Sequence, residues 1–205
     1  MRSIRRWMAG LAVASLAGAA SAQAFPTQPL RWIVPYPAGG GPDVVARTLA
    51  HEMQQSLGQP IAVDNRPGAN TIVGADVIAK SKGDGYTIGS ADNATLALNQ
   101  SLYAKLPYDP GKDFVVVGGI ARFPYVMLVG PKVDARNLQE LLERARKAPG
   151  SVSYGTPGLG GPNHVAMEQL QQRTGVSMTH GAYRGAAPAL QGLPAGQIDC
   201  MVGGT

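Results

Sequence analysis

Two stretches of the chain place glycines, prolines and small polar residues where an apolar run gives way to an amphipathic one. They are YPAGGGPD (36–43) and SYGTPGLGGPNHVAMEQL (153–170). Glycines let backbone amides approach a bound group closely. A helix start adds free N–H groups and the positive end of a dipole. The chemistry on offer is capture of an anion. Asp43 could cap the first helix, and Asn163 the second. Thr156 and several backbone amides could surround the anion. A third stretch, YRGAAPAL (183–190), carries Arg184, a bidentate partner for a carboxylate or equally a solvated surface arginine. In SADNATL (90–96), Ser90 and Asn93 offer neutral hydrogen-bonding groups, or helix caps.

Reactive chemistry is harder to place. The lysine of a phosphate loop is missing, and so is the G-x-G-x-x-G pattern, which argues against a nucleotide. His164 and Glu168 stand four residues apart on one helix face, but no motif supplies a third metal ligand. There is no G-x-S-x-G elbow. The single cysteine, Cys200, lies in the apolar run IDCMV, where a buried thiol is expected to be inert. We therefore expect no catalytic residue, metal or cofactor. A hydrolase or transferase on the same layout, and an interaction or sensor protein that binds no solute, are the competing classes.

Apolar β-branched runs alternate with helical patterns. Strands are expected at 30–34, 61–65, 86–91, 114–121, 125–129, 152–156, 177–183 and 197–202. Helices are expected at 44–57, 71–82, 94–103, 137–147, 163–175 and 185–193. Such alternation implies an α/β fold with largely parallel sheets. Loops at the carboxyl ends of two such sheets can face one another across a cleft, where α/β proteins bind ligands. The adjacent runs broken by Pro124 suggest a crossing between two units near 122–125. QIDCMVGGT ends the chain on an apolar run with no helix behind it, so this last strand is expected to lack cover on one face.

Residues 1–24 carry three arginines, a short apolar stretch and two small-residue exits, the pattern of a signal peptide cleaved after Ala24 or Ala22. Removing them takes away three arginines and no acidic residue, so the formal net charge falls from +5 to +2. The basic character thus belongs mostly to the leader and gives no footprint for nucleic acid. The whole chain has 44% apolar and 15% charged residues, enough to build a core without disulfides.

Taken together these motifs resemble the extracytoplasmic solute receptors of tripartite tricarboxylate transporters, the Bug-type binding proteins. IVPYPAGGGPDVVAR resembles the family's first ligand loop and SYGTPGLGGPNHVAMEQL its second. VDNRPGA, DGYT, LPYDPGKDF and YRGAAPAL are further matching elements. The resemblance implies a periplasmic-binding-protein-like α/β fold of two lobes around a cleft. Residues 25–122 would form the first lobe and 123–205 a second, incomplete one, since family members continue further. It implies a periplasmic protein, monomeric when complete, that captures a small carboxylate and passes it to the membrane components of such a transporter. Carried over position by position, it points to Tyr36, Ala38, Gly39, Gly40 and Asp43 in the first loop. In the second it points to Gly155, Thr156, Gly158, Asn163 and His164, with Ser90, Asn93, Tyr183, Arg184 and Gly185 as weaker members. Pro42 stands where the family often has a hydroxyl-bearing residue.

Overall fold

The computed structural model describes residues 25–204; the signal peptide expected at 1–24 lies outside the described residues. Two sheets organise the chain. The first has the order β2-β1-β3, all parallel, from β1 (Leu30–Val34), β2 (Ile61–Asn65) and β3 (Thr87–Gly89). β1 is an unbroken apolar run because it is central: Leu30, Trp32, Ile33 and Val34 are all buried. The helix α1 (Gly41–Leu57) lays Ala46 and Ala50 against it and stops at Gly58, whose left-handed backbone (φ 66°) returns an amide to the Gln54 carbonyl. Next come α2 (Ile72–Ala79), a π-helical turn at Ala94–Leu98 and the short α3 (Asn99–Leu102).

The second sheet has the order β4-β7-β5-β6, from β4 (Tyr125–Val129), β5 (Ser153–Thr156), β6 (Thr179–Ala182) and β7 (Cys200–Gly204). Only the β4–β7 pairing is antiparallel. α4 (Leu138–Lys147) buries Leu141, Leu142 and Ala145 against Val152, Tyr154 and Met167. Its start is a reciprocal cap: Asn137 accepts from the Glu140 amide at 3.0 Å, and Glu140 accepts from the Arg136 amide at 2.7 Å. α5 (Pro162–Thr174) and α6 (Ala186–Ala195) complete this unit. Cys200 is fully buried and burial, with Asp199 beside it, pushes its thiol up to about 12, as expected of an inert cysteine.

Several expectations need correction. The last strand is not left uncovered: β7 sits inside the sheet between β4 and β5, and Cys200, Met201 and Val202 are buried beneath the neighbouring helices. The expected strand at 114–121 is absent. Those residues carry no regular structure and pair with nothing described, and Val115 and Val117 are 91% and 93% exposed. β-propensity records how well side chains fit a paired, half-buried surface, and no such surface is there to receive them. The helix expected at 44–57 starts at Gly41, because Pro42 suits a first helical turn. The 71–82 helix is trimmed to Ile72–Ala79, and strands 86–91, 177–183 and 197–202 become Thr87–Gly89, Thr179–Ala182 and Cys200–Gly204.

A run of exposed valines with high β-propensity is a segment prone to pair with another chain. Replacing Val115 and Val117 together by Lys should leave thermal stability within about 1 kcal/mol of wild type and reduce concentration-dependent light scattering. Unchanged scattering would show that this segment does not drive association.

Candidate ligand-binding site

Every loop singled out above follows the carboxyl end of a strand. Residues 35–40 follow β1, Ser90 follows β3, 157–161 follow β5, and 183–185 follow β6. In the first loop Gly39 takes a left-handed backbone (φ 81°), and Gly40 is the N-cap of α1 with no side chain capping it. Asp43 therefore does not cap the helix. Its buried carboxylate turns back beneath the loop, where it accepts from the Gly39 amide at 2.8 Å, Arg47 Nε at 3.0 Å and Asn65 Nδ2 at 2.8 Å. The same Asn65 amide donates to the Tyr36 carbonyl at 3.0 Å. Burial opposes ionisation of Asp43, but Arg47, the Gly39 amide and Asn65 outweigh it and hold the carboxyl below the usual carboxylate range. Asp43 is thus a brace of the loop, and the first-turn amides of α1 stay free of side-chain partners.

The second loop is braced by different chemistry. Thr156 is fully buried and its hydroxyl donates to the Gly158 carbonyl at 3.0 Å. Having one proton to give, it must accept at its 2.7 Å contact with His180 Nε2, so that nitrogen carries a hydrogen. The cap of α5 is Gly161, again without a side-chain bond, rather than Asn163. Asn163 instead donates to the Val202 carbonyl at 2.8 Å and ties the helix start to β7. His164 Nδ1 accepts from the Gly160 amide at 3.0 Å. Gly155 is a packing glycine: a Cβ there would lie 2.3 Å from Ile198 Cδ1.

The remaining residues divide. Ser90 is buried and accepts from the Trp32 indole at 3.0 Å, which leaves its own proton to donate elsewhere. Asn93 is exposed at the start of the π-helical turn and caps nothing with its side chain. Tyr183 packs in the small core with Ile198, and its hydroxyl donates to Gln197 at 3.4 Å. Arg184 is exposed. Gly185 (φ 122°) lies against the first loop, where a Cβ would come within 3.3 Å of Pro37. Ala38 is exposed beside Gly39.

Sequence reasoning missed two contributors. Asn70 belongs to a turn in which Ala69, Asn70 and Thr71 all have positive φ (45°, 50°, 74°), a costly arrangement of a kind that clusters at functional sites. Its Nδ2 donates to Asn99 Oδ1 at 2.8 Å and to the Gly160 carbonyl at 3.1 Å, joining the first unit to the second ligand loop. Asp92 sits by Tyr36 and Tyr125. Burial first, then this carboxylate, raises both phenols above their ordinary value. The turn-forming PGAN run, with an asparagine suited to the left-handed region, was the signal for Asn70. Asp92 lay between Ser90 and Asn93 with nothing to mark it.

At Gly39 and Gly158 a Cβ would meet nothing within 4 Å, so these backbones border open space. Two uncapped helix starts, each beside such a glycine, can hold an anion. Among the described residues no three His, Cys, Asp or Glu side chains converge as metal ligands. The Thr156–His180 pair has the spacing of a nucleophile and base, but the hydroxyl is fully buried and its proton is already given to Gly158.

Two strand–loop–helix units with their uncapped helix starts define a periplasmic-binding-protein-like α/β architecture. Residues 45–205 match a family model described as the tripartite tricarboxylate transporter family receptor. BugT of Bordetella pertussis is 39% identical over 189 residues, which cover 92% of this chain and 58% of BugT. The periplasmic binding protein BugD superposes with a TM-score of 0.80 at 30% identity, over 88% of this chain and 60% of BugD. Rpa4515 of R. palustris, solved with adipate, superposes with a TM-score of 0.84 at 32% identity, over 88% and 60% of the two chains. The chain belongs to the tripartite tricarboxylate transporter receptor family. It spans about 60% of the length of the curated relatives it matches.

The Asp43 brace is testable without a ligand. Asp43→Ala leaves the Gly39 amide and Asn65 without their shared acceptor and should destabilise the protein by about 1–3 kcal/mol. Because the folded carboxyl is held below its ordinary value of about 3.9, its contribution is complete above that value and is lost as pH falls through the lower, folded one. Chemical denaturation of wild type and variant should therefore differ near neutrality and converge in strong acid.

Proposed function

We propose that this chain is the ligand-capturing part of an extracytoplasmic solute receptor for a small carboxylate, with residues 25–122 and 123–205 as its two lobes. The carrying observation is the pair of glycine-capped helix starts, α1 and α5, each braced from behind and open in front. One ligand carboxylate lies between the 36–43 and 155–164 loops. Ser90 has a proton to donate there, and the amides beside Gly39, Gly40 and Gly158 complete the grip. Tyr36, Ala38, Asn93, Tyr183, Arg184 and Gly185 border the same space, while Asp43, Thr156, Asn163 and His164 act by shaping it. Family membership and the adipate held by Rpa4515 support a carboxylate ligand. The receptor works without cofactor or chemical turnover, is monomeric when complete, and presents its ligand to the membrane components of a tripartite tricarboxylate-type transporter.

The energetics suffice. A hydrogen bond to a charged group contributes about 1.5–3 kcal/mol, and a helix N-terminus about 0.3–1, rising to ~2 when partly buried. Two or three such bonds with closure reach the roughly 8 kcal/mol of micromolar binding.

Calorimetry against adipate and a panel of mono-, di- and tricarboxylates, acidic amino acids and aromatic acids tests this reading. Gly39→Val and Gly158→Val should abolish binding while far-UV circular dichroism stays native-like. Thr156→Val, which removes the brace under Gly158, should have a milder effect, on the order of one hydrogen bond. Binding by neither wild type nor any panel member, or undiminished binding by both glycine variants, sinks the proposal.

Export provides a separate check. In a Gram-negative host the periplasmic form should begin at Phe25 by mass spectrometry, and a full-length species retained at the membrane would count against the leader.

A further inference from the structure

The Gly160 peptide is a junction. Its carbonyl accepts from Asn70 of the first unit at 3.1 Å, and its amide donates to His164 Nδ1 of the second at 3.0 Å. Its backbone is left-handed (φ 75°), and a Cβ would come within 3.2 Å of Leu102 and 3.7 Å of Asn70 Nδ2. The peptide is therefore held from both sides. The hold from His164 depends on one lone pair. A neutral imidazole with Nδ1 unprotonated accepts from the amide, whereas a protonated ring presents N–H at both nitrogens and cannot.

The surroundings of His164 fix which form is compatible. On its own helix, Glu168 Oε1 stands 3.6 Å from Nε2, the nitrogen that carries the hydrogen. From β5, Tyr154 stacks at 6.4 Å and its hydroxyl donates to the same Glu168, with the Cys200 thiol of β7 near that phenol. From β6, His180 stacks at 4.2 Å with rings 14° from parallel. Burial, and then the His164 ring, keeps His180 below its ordinary value, with Glu168 opposing. Two stacked imidazoles cannot both take a proton without strong repulsion, so proton uptake at this stack is confined to one ring at a time.

We propose that His164 is a positioning residue whose neutral imidazole holds Gly160 in place, so that protonation frees the second ligand loop and loosens its tie to Asn70. The sign follows from the lone pair. The amide bond is intact while the ring is neutral and is lost when Nδ1 takes up a proton. The loop is held while the ring is neutral and released once it is protonated.

Amide NMR of the wild-type protein decides this without any ligand. The Gly160 amide should shift with a single inflection between about pH 7.5 and about pH 5. His164→Asn, which keeps an acceptor but cannot titrate, should abolish that inflection, and His180→Asn should leave it in place. At the upper pH the imidazole 15N shifts of His164 should show hydrogen on Nε2. A Gly160 amide with no inflection, an inflection that survives His164→Asn or vanishes with His180→Asn, or hydrogen on Nδ1 would each overturn the proposal. The tautomer and wild-type titration decide even if a variant fails to fold. A second arm rests on the carboxylate reading above. Adipate should bind about threefold to tenfold more weakly at the lower pH, the worth of one hydrogen bond, and the dependence should disappear in His164→Asn. Equal wild-type affinity at both pH values contradicts the proposal. If adipate binds at neither, the carboxylate reading is what fails, and the amide titration still settles the role of His164.

Discussion

The structure turns on two helix starts, α1 and α5, that carry no side-chain cap and adjoin loops whose glycines border open space. α1 and α5 both follow an N-cap glycine in an extended conformation (φ −79°, ψ 165° and φ −70°, ψ 168°), and both have proline at the next positions. Proline suits the first turn because its missing N–H would be unpaired there anyway. It also thins the donors to a few, and glycine keeps side chains away from them. By contrast α4 has a side-chain cap from Asn137 and Glu140. Among the described α-helices only α4 starts with a side-chain cap; α1 and α5 differ from the other uncapped starts in standing directly after the two glycine-rich loops.

Open donors are useful only if they do not wander, and each loop is stiffened from the side away from the opening. Under the first, a buried ionised Asp43 collects an amide, a guanidinium and a carboxamide. Under the second, the brace is neutral: the hydroxyl of Thr156 and the imidazoles of His180 and His164. Ordering these loops before a ligand arrives lowers the entropy lost on binding. The two braces respond differently to acid. A carboxylate held low keeps its charge well below neutrality, whereas an imidazole changes form within a unit or two of it. The two loops are thus braced by different chemistry, one by a carboxylate and the other by a hydroxyl and imidazoles.

Much of this was legible in the sequence, and the exceptions have physical causes. β1 and α4 could be read because their patterns report burial directly: an unbroken apolar run for a central strand, and Leu141, Leu142 and Ala145 on one helical face. The 114–121 run has the same local chemistry as a strand, but pairing is a tertiary event that local composition cannot announce. Asp43 and Asn163 have the right types to cap helices, and each was drawn away by a stronger distant partner, Asn65 with Arg47 in one case and the Val202 carbonyl in the other. The His164–His180 stack joins residues on separate elements, and neither ring carries a local mark of the other.

The glycines show why a loop's composition alone leaves its purpose open. In sequence, Gly39, Gly155 and Gly158 are equivalent members of glycine-rich turns. In the fold they divide by what a side chain would strike. A Cβ at Gly155 would run into Ile198, and at Gly89 it would lie 2.2 Å from Ile78, so those glycines exist to let elements pack closely. At Gly39 and Gly158 a Cβ would meet nothing, so internal packing does not demand the glycine there. A left-handed backbone accounts for glycine at Gly39, but Gly158 has no such conformational excuse. Gly83, Gly118 and Gly119 are likewise open and not left-handed, but only Gly158 lies in a loop that leads into an uncapped helix start, and the carboxylate reading proposed above supplies a reason for glycine there: access. Packing alone thus explains Gly155 and Gly89 and leaves Gly158 to the proposed site.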